Sequence, residues 1–299
     1  LVAAAGCDGP APADAGARSD AGVEGPPAPA PPAAPVFAPC PAGWSAIDSG
    51  EGFDVCEPPP RVACPVGQAR FLDAEGCAPV GAPCPAGEWP DAPAGASVLY
   101  VRAGASGGDG TQGAPYGTIR DAIVRAPPGA TVALARGTYE ERVDLYGGLR
   151  VVGACAAQTI LAPREGEVAV RAAERGSALA DVTIRPAAPL LGVRVTGELA
   201  LDGVVIEGAT DTAILVSDGG ALDATRLVIV DVERGPRPEL GRGITVVEAR
   251  ARVERAILER CPGGAILVST GGALDARVVA IRESGAEIRG GPQVIAQGV

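Results

Sequence analysis

Four aspartates have the spacing most suggestive of chemistry. Asp181, Asp202 and Asp223 follow one another at intervals of 21 residues, and Asp275 lies 52 residues beyond Asp223. If they hold the same place in successive structural units, they form a stack of carboxylates. Such a stack can bind calcium or supply an acid/base pair. The plainer reading is that each Asp marks a corner, where a short side chain bonds the backbone and tolerates a left-handed conformation. One Asp per unit at a fixed offset is what corners need, so corners are the expectation. Asp223 and Asp275 are kept as binding candidates, and Arg226 and Arg277 follow them where a lyase would want a base. A second cluster, Asp231, Glu233, Arg234, Arg237 and Glu239, falls together further along.

The chain contains no His, which removes Ser-His-Asp and Cys-His catalysis and every His-ligated metal site. The eight cysteines are the other reactive group. Cys40, Cys64 and Cys84 each open a Cys-Pro-x-Gly turn, with Cys56 and Cys77 between them and Cys155 and Cys261 beyond. A zinc site would want Cys-x-x-Cys pairs, which are missing, so disulfides are expected. The pairing we expect is Cys40–Cys56, Cys64–Cys77 and Cys84–Cys155, with Cys261 free. No metal and no cofactor are expected. The 25 basic residues are all Arg and face 36 acidic ones, a net charge of -11 that argues against nucleic acid as a partner.

The elements that position these residues are legible from internal repetition. Ala213–Ala224 reads AILVSDGGALDA and Ala265–Ala276 reads AILVSTGGALDA, an offset of 52 residues. Gly243-Ile244-Thr245-Val246 opens a copy between them, 22 residues before the second, with Arg234–Gly241 as an eight-residue insertion. Leu179–Ile184 and Leu201–Ile206 are offset by 22, so the period is 21 to 23 residues. Each unit holds short β-branched runs separated by Gly, Asp or Ser. Such strands bury their apolar side by coiling, each stacked on its equivalent one turn on. At about 4.8 Å per strand, six to eight turns after Thr131 make a rod on the order of 30–40 Å long.

The open first turn needs a cover. Thr118-Ile119-Arg120-Asp121 reads as a capping box with Asp for Glu, Ile119, Ala122, Ile123 and Ala126 share one helical face, and Pro127-Pro128-Gly129 stops the helix. Thr131–Ala135 is then the first strand of the coil. Gly108-Asp109-Gly110-Thr111-Gln112-Gly113 has dinucleotide-loop spacing, but Pro115 and the lack of βαβ spacing downstream make it a turn before the cap. The run from Val98-Leu99-Tyr100-Val101 through Gly108–Thr111, Pro115–Ile119, Ala122-Ile123, Pro128-Gly129 and Val132–Tyr139 resembles the opening of pectin-lyase-like proteins. That resemblance implies an all-β fold, a right-handed parallel β-helix with an N-terminal cap helix, over about two thirds of the chain. It implies carbohydrate contact only loosely, since such folds also serve as adhesins and structural repeats. The polygalacturonases of this group need a Gly-His-Gly that this chain lacks.

Leu1-Val2-Ala3-Ala4-Ala5-Gly6-Cys7 resembles the end of a secretory signal with a bacterial lipobox, which makes Cys7 the lipidation candidate. The expected organisation is a signal remnant over 1–7, a Pro/Ala-rich disordered linker over 8–39, a Cys-rich module over 40–95 and the β-helix over 96–299. The chain therefore reads as exported, lipid-anchored to the bacterial envelope or secreted. Its expected role is structural or binding, with envelope polysaccharide or a surface protein as partner and the membrane reached through the anchor. The alternative is a polysaccharide lyase or glycoside hydrolase. Sugar-active coils line their groove with aromatics, and this sequence has none after Tyr146.

Overall fold

The computed structural model describes residue 40 and residues 45–48, 54–57, 64–91, 97–235, 240–284 and 294–297. Cys7, the linker 8–39, Arg237 and Glu239 lie outside the described residues. The chain divides into two compact units, Leu1–Val62 and Ala63–Val299. In the first, Ser45–Asp48 pairs antiparallel with Asp54–Glu57, and a disulfide joins Cys40 to Cys56.

The second unit is a parallel β-helix with three sides. The first side stacks Val98–Val101, Thr131–Leu134, Arg150–Gly153, Ser177–Ala180 and Glu198–Asp202, then the leading halves of Ala221–Val230, Arg250–Glu259 and Ala273–Arg282. The second side runs from Gly137–Tyr139 through Thr159–Leu161, Thr183–Ile184 and Val205–Glu207 into the trailing halves of those three long strands. The third side stacks Val143–Leu145, Val168–Ala172, Leu191–Val195, Thr212–Val216, Arg242–Val247 and Gly264–Ser269. The repeat copies thus superimpose, with Ile214, Ile244 and Ile266 in one row.

Each side sends alternate residues inward. Val143, Val170, Val193, Ile214 and Ile244 stack fully buried on the third side, and Leu179, Leu201, Ala224 and Val253 do so on the first. Each large side chain in such a row contributes roughly 1.5–3 kcal/mol by leaving water. The core is therefore a column of aliphatic rows, as an aromatic-poor chain requires.

The cover is one strand longer than the sequence suggested. Val98–Val101 pairs with Thr131–Leu134, so the coil opens with the strand before the helix. The reason is the edge itself: a run of Val, Leu, Tyr and Val satisfies the ladder groups that Thr131–Leu134 would otherwise leave open. The helix Ile119–Arg125 buries Ile119, Ala122 and Ile123, and the Thr118 hydroxyl accepts the Asp121 N–H at its start. Its first two amides, those of Ile119 and Arg120, donate to the Glu141 carboxylate from the coil, at 2.7 and 3.0 Å.

A further difference concerns Cys64–Pro90. Its hairpin Gln68–Ala69 with Ala78–Pro79 is stapled by Cys64–Cys77, and Cys84–Cys155 ties it to the coil. Phe71 is buried on the outside of the second side, against a patch that includes Val228, Ile257 and Ala280. This half of the Cys-rich module therefore belongs to the β-helix unit and lies on it as a strap.

Gly203 and Gly208 have the same backbone, with φ of 68° and 70°, but different surroundings. A Cβ at Gly208 would meet nothing within 4 Å, whereas at Gly203 it would stand 2.3 Å from the Gly81 Cα of the strap. Gly208→Ala should cost about 1–2 kcal/mol, the strain of the left-handed region alone. Gly203→Ala should cost clearly more in the same denaturant titration. Equal losses would mean the strap does not pack on this corner.

Candidate functional site

On the strands of the first side, residues alternate between core and surface, and two surface rows line a groove of about 680 Å³. One row is Ala178, Ala200, Asp223, Arg252 and Asp275; the other is Glu198, Ala221, Arg250 and Ala273. The alanines leave room over the outer face of the sheet, and the charged residues stand along it. Arg252 sits in register between Asp223 and Asp275 and bonds Glu254 on its own strand at 3.0 Å. Asp275 is bonded by Arg277 at 3.1 and 3.2 Å, and Arg250 reaches across Ala221 to Glu198 at 3.8 Å. The result is a shallow channel across five successive strands in which acid and base alternate.

The four aspartates do not form one stack. Asp223 and Asp275 share a row, but Asp202 pairs with Ala180 and Thr225, two places further along the strand. Asp181 follows Ala180 and stands at the corner itself, with φ of 57°. The corner reading therefore holds for Asp181 and fails for the other three, which lie within strands. Neighbouring turns are 22 and 23 residues apart here, as Leu179, Leu201 and Ala224 show, so a count of 21 drifts off register at every step.

Asp181, Asp202 and Arg226 meet beside the groove. Arg226 grips Asp202 through two bonds of 2.8 and 2.6 Å. Asp181 accepts the Ala82 N–H of the strap at 2.6 Å. Burial pushes its carboxyl above the usual range, only partly opposed by that bond. Two carboxylates on adjacent turns, one desolvated and one ion-paired, are the contrast that acid/base chemistry exploits. In this structure the strap covers that corner.

The other predicted cluster is at a different corner. Asp231 is held by Arg260 through two bonds, which lower its carboxyl below the ordinary range. Arg234 donates to the Pro262 carbonyl at 2.8 Å, and Glu233 is exposed. The ends of the insertion converge on Asp211, whose carboxylate accepts from Gly235 N–H and whose carbonyl accepts from Gly241 N–H. These residues are not brought together with Asp223 and Asp275.

Glu198, Arg250 and Arg252 were missed by sequence reasoning. Arg252 could have been found by extending the third repeat copy to its strand Arg250–Glu259, which carries outward residues in the same alternation. The sequence Gly108–Gly113 forms turns before the cap, where Asp109 accepts the Thr111 N–H. Cys261 is buried and unpaired, and burial pushes its thiol up to about 11.

A family model described as a protein of unknown function, DUF1565, matches residues 103–145, which contain the cap helix and the first turn. No curated protein matches the chain significantly. Among solved structures, a pectin methylesterase from carrot is similar at 14% identity with a TM-score of 0.35, covering 64% of this chain and 84% of that one.

The desolvated carboxyl at Asp181 makes a pH prediction. A carboxyl raised in the folded state binds its proton more tightly than in the unfolded chain, where it titrates near about 3.9. It therefore withdraws stability as pH rises through its folded range. Asn keeps the acceptor for Ala82 and tolerates a left-handed backbone, but carries no charge. Asp181→Asn should melt higher than the parent at pH 7, with the gap closing towards pH 3. A gap that is constant or reversed would show that Asp181 is not desolvated.

Proposed function

We propose that this is an exported β-helix protein of the bacterial envelope whose first-side groove binds polysaccharide. Its three disulfides support export, since such bonds persist in oxidising compartments. Lipidation at Cys7 would tether it to a membrane through the Pro/Ala-rich linker.

The observation that carries the binding role is the groove itself. It crosses five successive strands, is open along its length, and presents Asp223, Arg252 and Asp275 in a single row. A linear polymer laid across the strands would meet a charged or polar group at nearly every turn. Without aromatic platforms, recognition rests on hydrogen bonds and charge, so the favoured ligand is a polysaccharide bearing charged groups. Exposed charge contacts are weakened by salt.

A catalytic reading, as a polysaccharide lyase or glycoside hydrolase, draws on the Asp181–Asp202–Arg226 corner. It is second because the strap occupies that corner and the sequence lacks the aromatic platforms of sugar-active coils.

A glycan array should find an acidic or mixed-charge polysaccharide whose binding weakens as salt rises from 50 to about 500 mM. Arg252→Ala and Asp223→Ala should each reduce that binding several-fold in folded protein. Release of uronate or of unsaturated product from acidic polysaccharides with calcium would favour the catalytic reading. Binding that ignores both substitutions would remove the groove from the account.

A further inference from the structure

We propose that Cys64–Pro90 is a redox-latched strap, and that reducing the single disulfide Cys84–Cys155 opens it without unwinding the coil. This goes beyond the binding role and does not depend on which ligand the groove takes.

The first support is how the strap is attached. Its strands Gln68–Ala69 and Ala78–Pro79 pair only with each other among the described residues, so no coil ladder runs through it. It is held by side chains and scattered single bonds. Asp73 pairs with Arg255, Glu88 pairs with Arg102, and Arg136 donates to the strap carbonyls of Pro85, Ala86 and Gly87. These ion pairs are partly exposed and individually weak. Its apolar anchors are Phe71, with Arg255 over its ring, Ala69 and Val80 in the same cluster, and Trp89, which meets Tyr100 edge-on.

The second support is the asymmetry of the latch. Cys84 is exposed, whereas Cys155 is 1% exposed in the coil. In the exchange we propose, the Cys84 sulfur is the one attacked and Cys155 is the departing thiolate. The strap's second disulfide, Cys64–Cys77, closes the strap on itself, so a released strap keeps its own shape.

The third support is what lies beneath. The Ala82 amide occupies the Asp181 carboxylate, and Gly81 packs on Gly203. Both contacts sit at the corner that ends the first-side strands, three residues along from the row of Ala178, Ala200 and Asp223. Opening the strap would therefore free the Asp181 carboxylate beside the Asp202–Arg226 pair.

The reaction balances with one dithiol. Its first thiolate attacks the Cys84 sulfur, forming a mixed disulfide and releasing Cys155 as a thiolate that takes a proton. Its second thiol displaces Cys84, which is likewise protonated. Two electrons pass to the protein, and the dithiol leaves as its disulfide. A dithiol oxidoreductase acting outside the cytoplasm is the class of partner implied.

The test uses the full chain treated with graded dithiothreitol below its melting temperature, read by thiol mass mapping, amide hydrogen exchange and carbodiimide labelling of carboxylates. Cys84 and Cys155 should appear as thiols before Cys64 and Cys77. Amides over residues 64–91 should then exchange about tenfold faster or more. Amides of the Ile214–Ile244 row should stay protected, and Asp181 should gain label. The double variant Cys84→Ser with Cys155→Ala should reproduce the open state without reductant. Prior reduction of Cys64–Cys77, loss of protection in the coil together with the strap, or a double variant with a protected strap and unlabelled Asp181 would each overturn the proposal.

Discussion

From Asp181 on the first side, Gly208 on the second and Asp218 on the third, this coil changes direction at single residues held in the left-handed region, and the later turns depend on those residues stacking. Asp181, Gly203, Arg226, Arg255 and Val278 follow the aligned ends of the first-side strands, and all five have positive φ. Gly208, Asp231, Arg260 and Glu283 do the same after the second side, and Asp218, Glu248 and Thr270 after the third. The sequence contains no asparagine, so the residue best suited after glycine is missing and Asp, Arg, Glu, Thr and even Val hold these places. Each non-glycine corner costs about 1–2 kcal/mol. Inner rows of Val, Ile and Leu, each side chain worth roughly 1.5–3 kcal/mol, offset that strain only while the turns remain in register. Corner and core therefore specify each other.

Corner side chains then acquire partners that a regular rod would lack. Arg226 bonds Asp202, Arg260 bonds Asp231, and Arg255 reaches the strap at Asp73. A guanidinium leaving the coil at a sharp bend can reach the neighbouring turn or a segment laid over it. This is how the strap finds charged contacts, and why the acidic corner at Asp181 lies beneath it.

The fold was legible because the copies at Ala213–Ala224 and Ala265–Ala276 are nearly identical and end in alternating strands. The cap helix was legible from Thr118, Asp121 and the apolar face of Ile119, Ala122 and Ile123. The site was less so. Aspartates placed by a fixed count of 21 could not show that turns of 22 and 23 shift them between rows. The strap left one signal unused. Leu227-Val228-Ile229-Val230 is a continuous apolar run, the mark of a strand covered on both faces. Leu227 and Ile229 fill the coil, while Val228 lies in the cluster formed with Phe71 and Val230 packs against it. What covers such a strand cannot be read from its own residues, because the partner lies about 150 residues earlier in the chain.

The central claim is that stacked left-handed corners set the coil, and backbone NMR of labelled protein tests it most directly. Arg226, Arg255 and Val278 should each show the strong intraresidue amide-to-α proton contact and the carbon shifts of positive φ, while Ala224, Val253 and Ala276 show extended strand values. Cross-strand contacts should link the three corners one turn apart. Negative φ at Arg255 and Val278, or strand contacts displaced by one residue, would contradict the account.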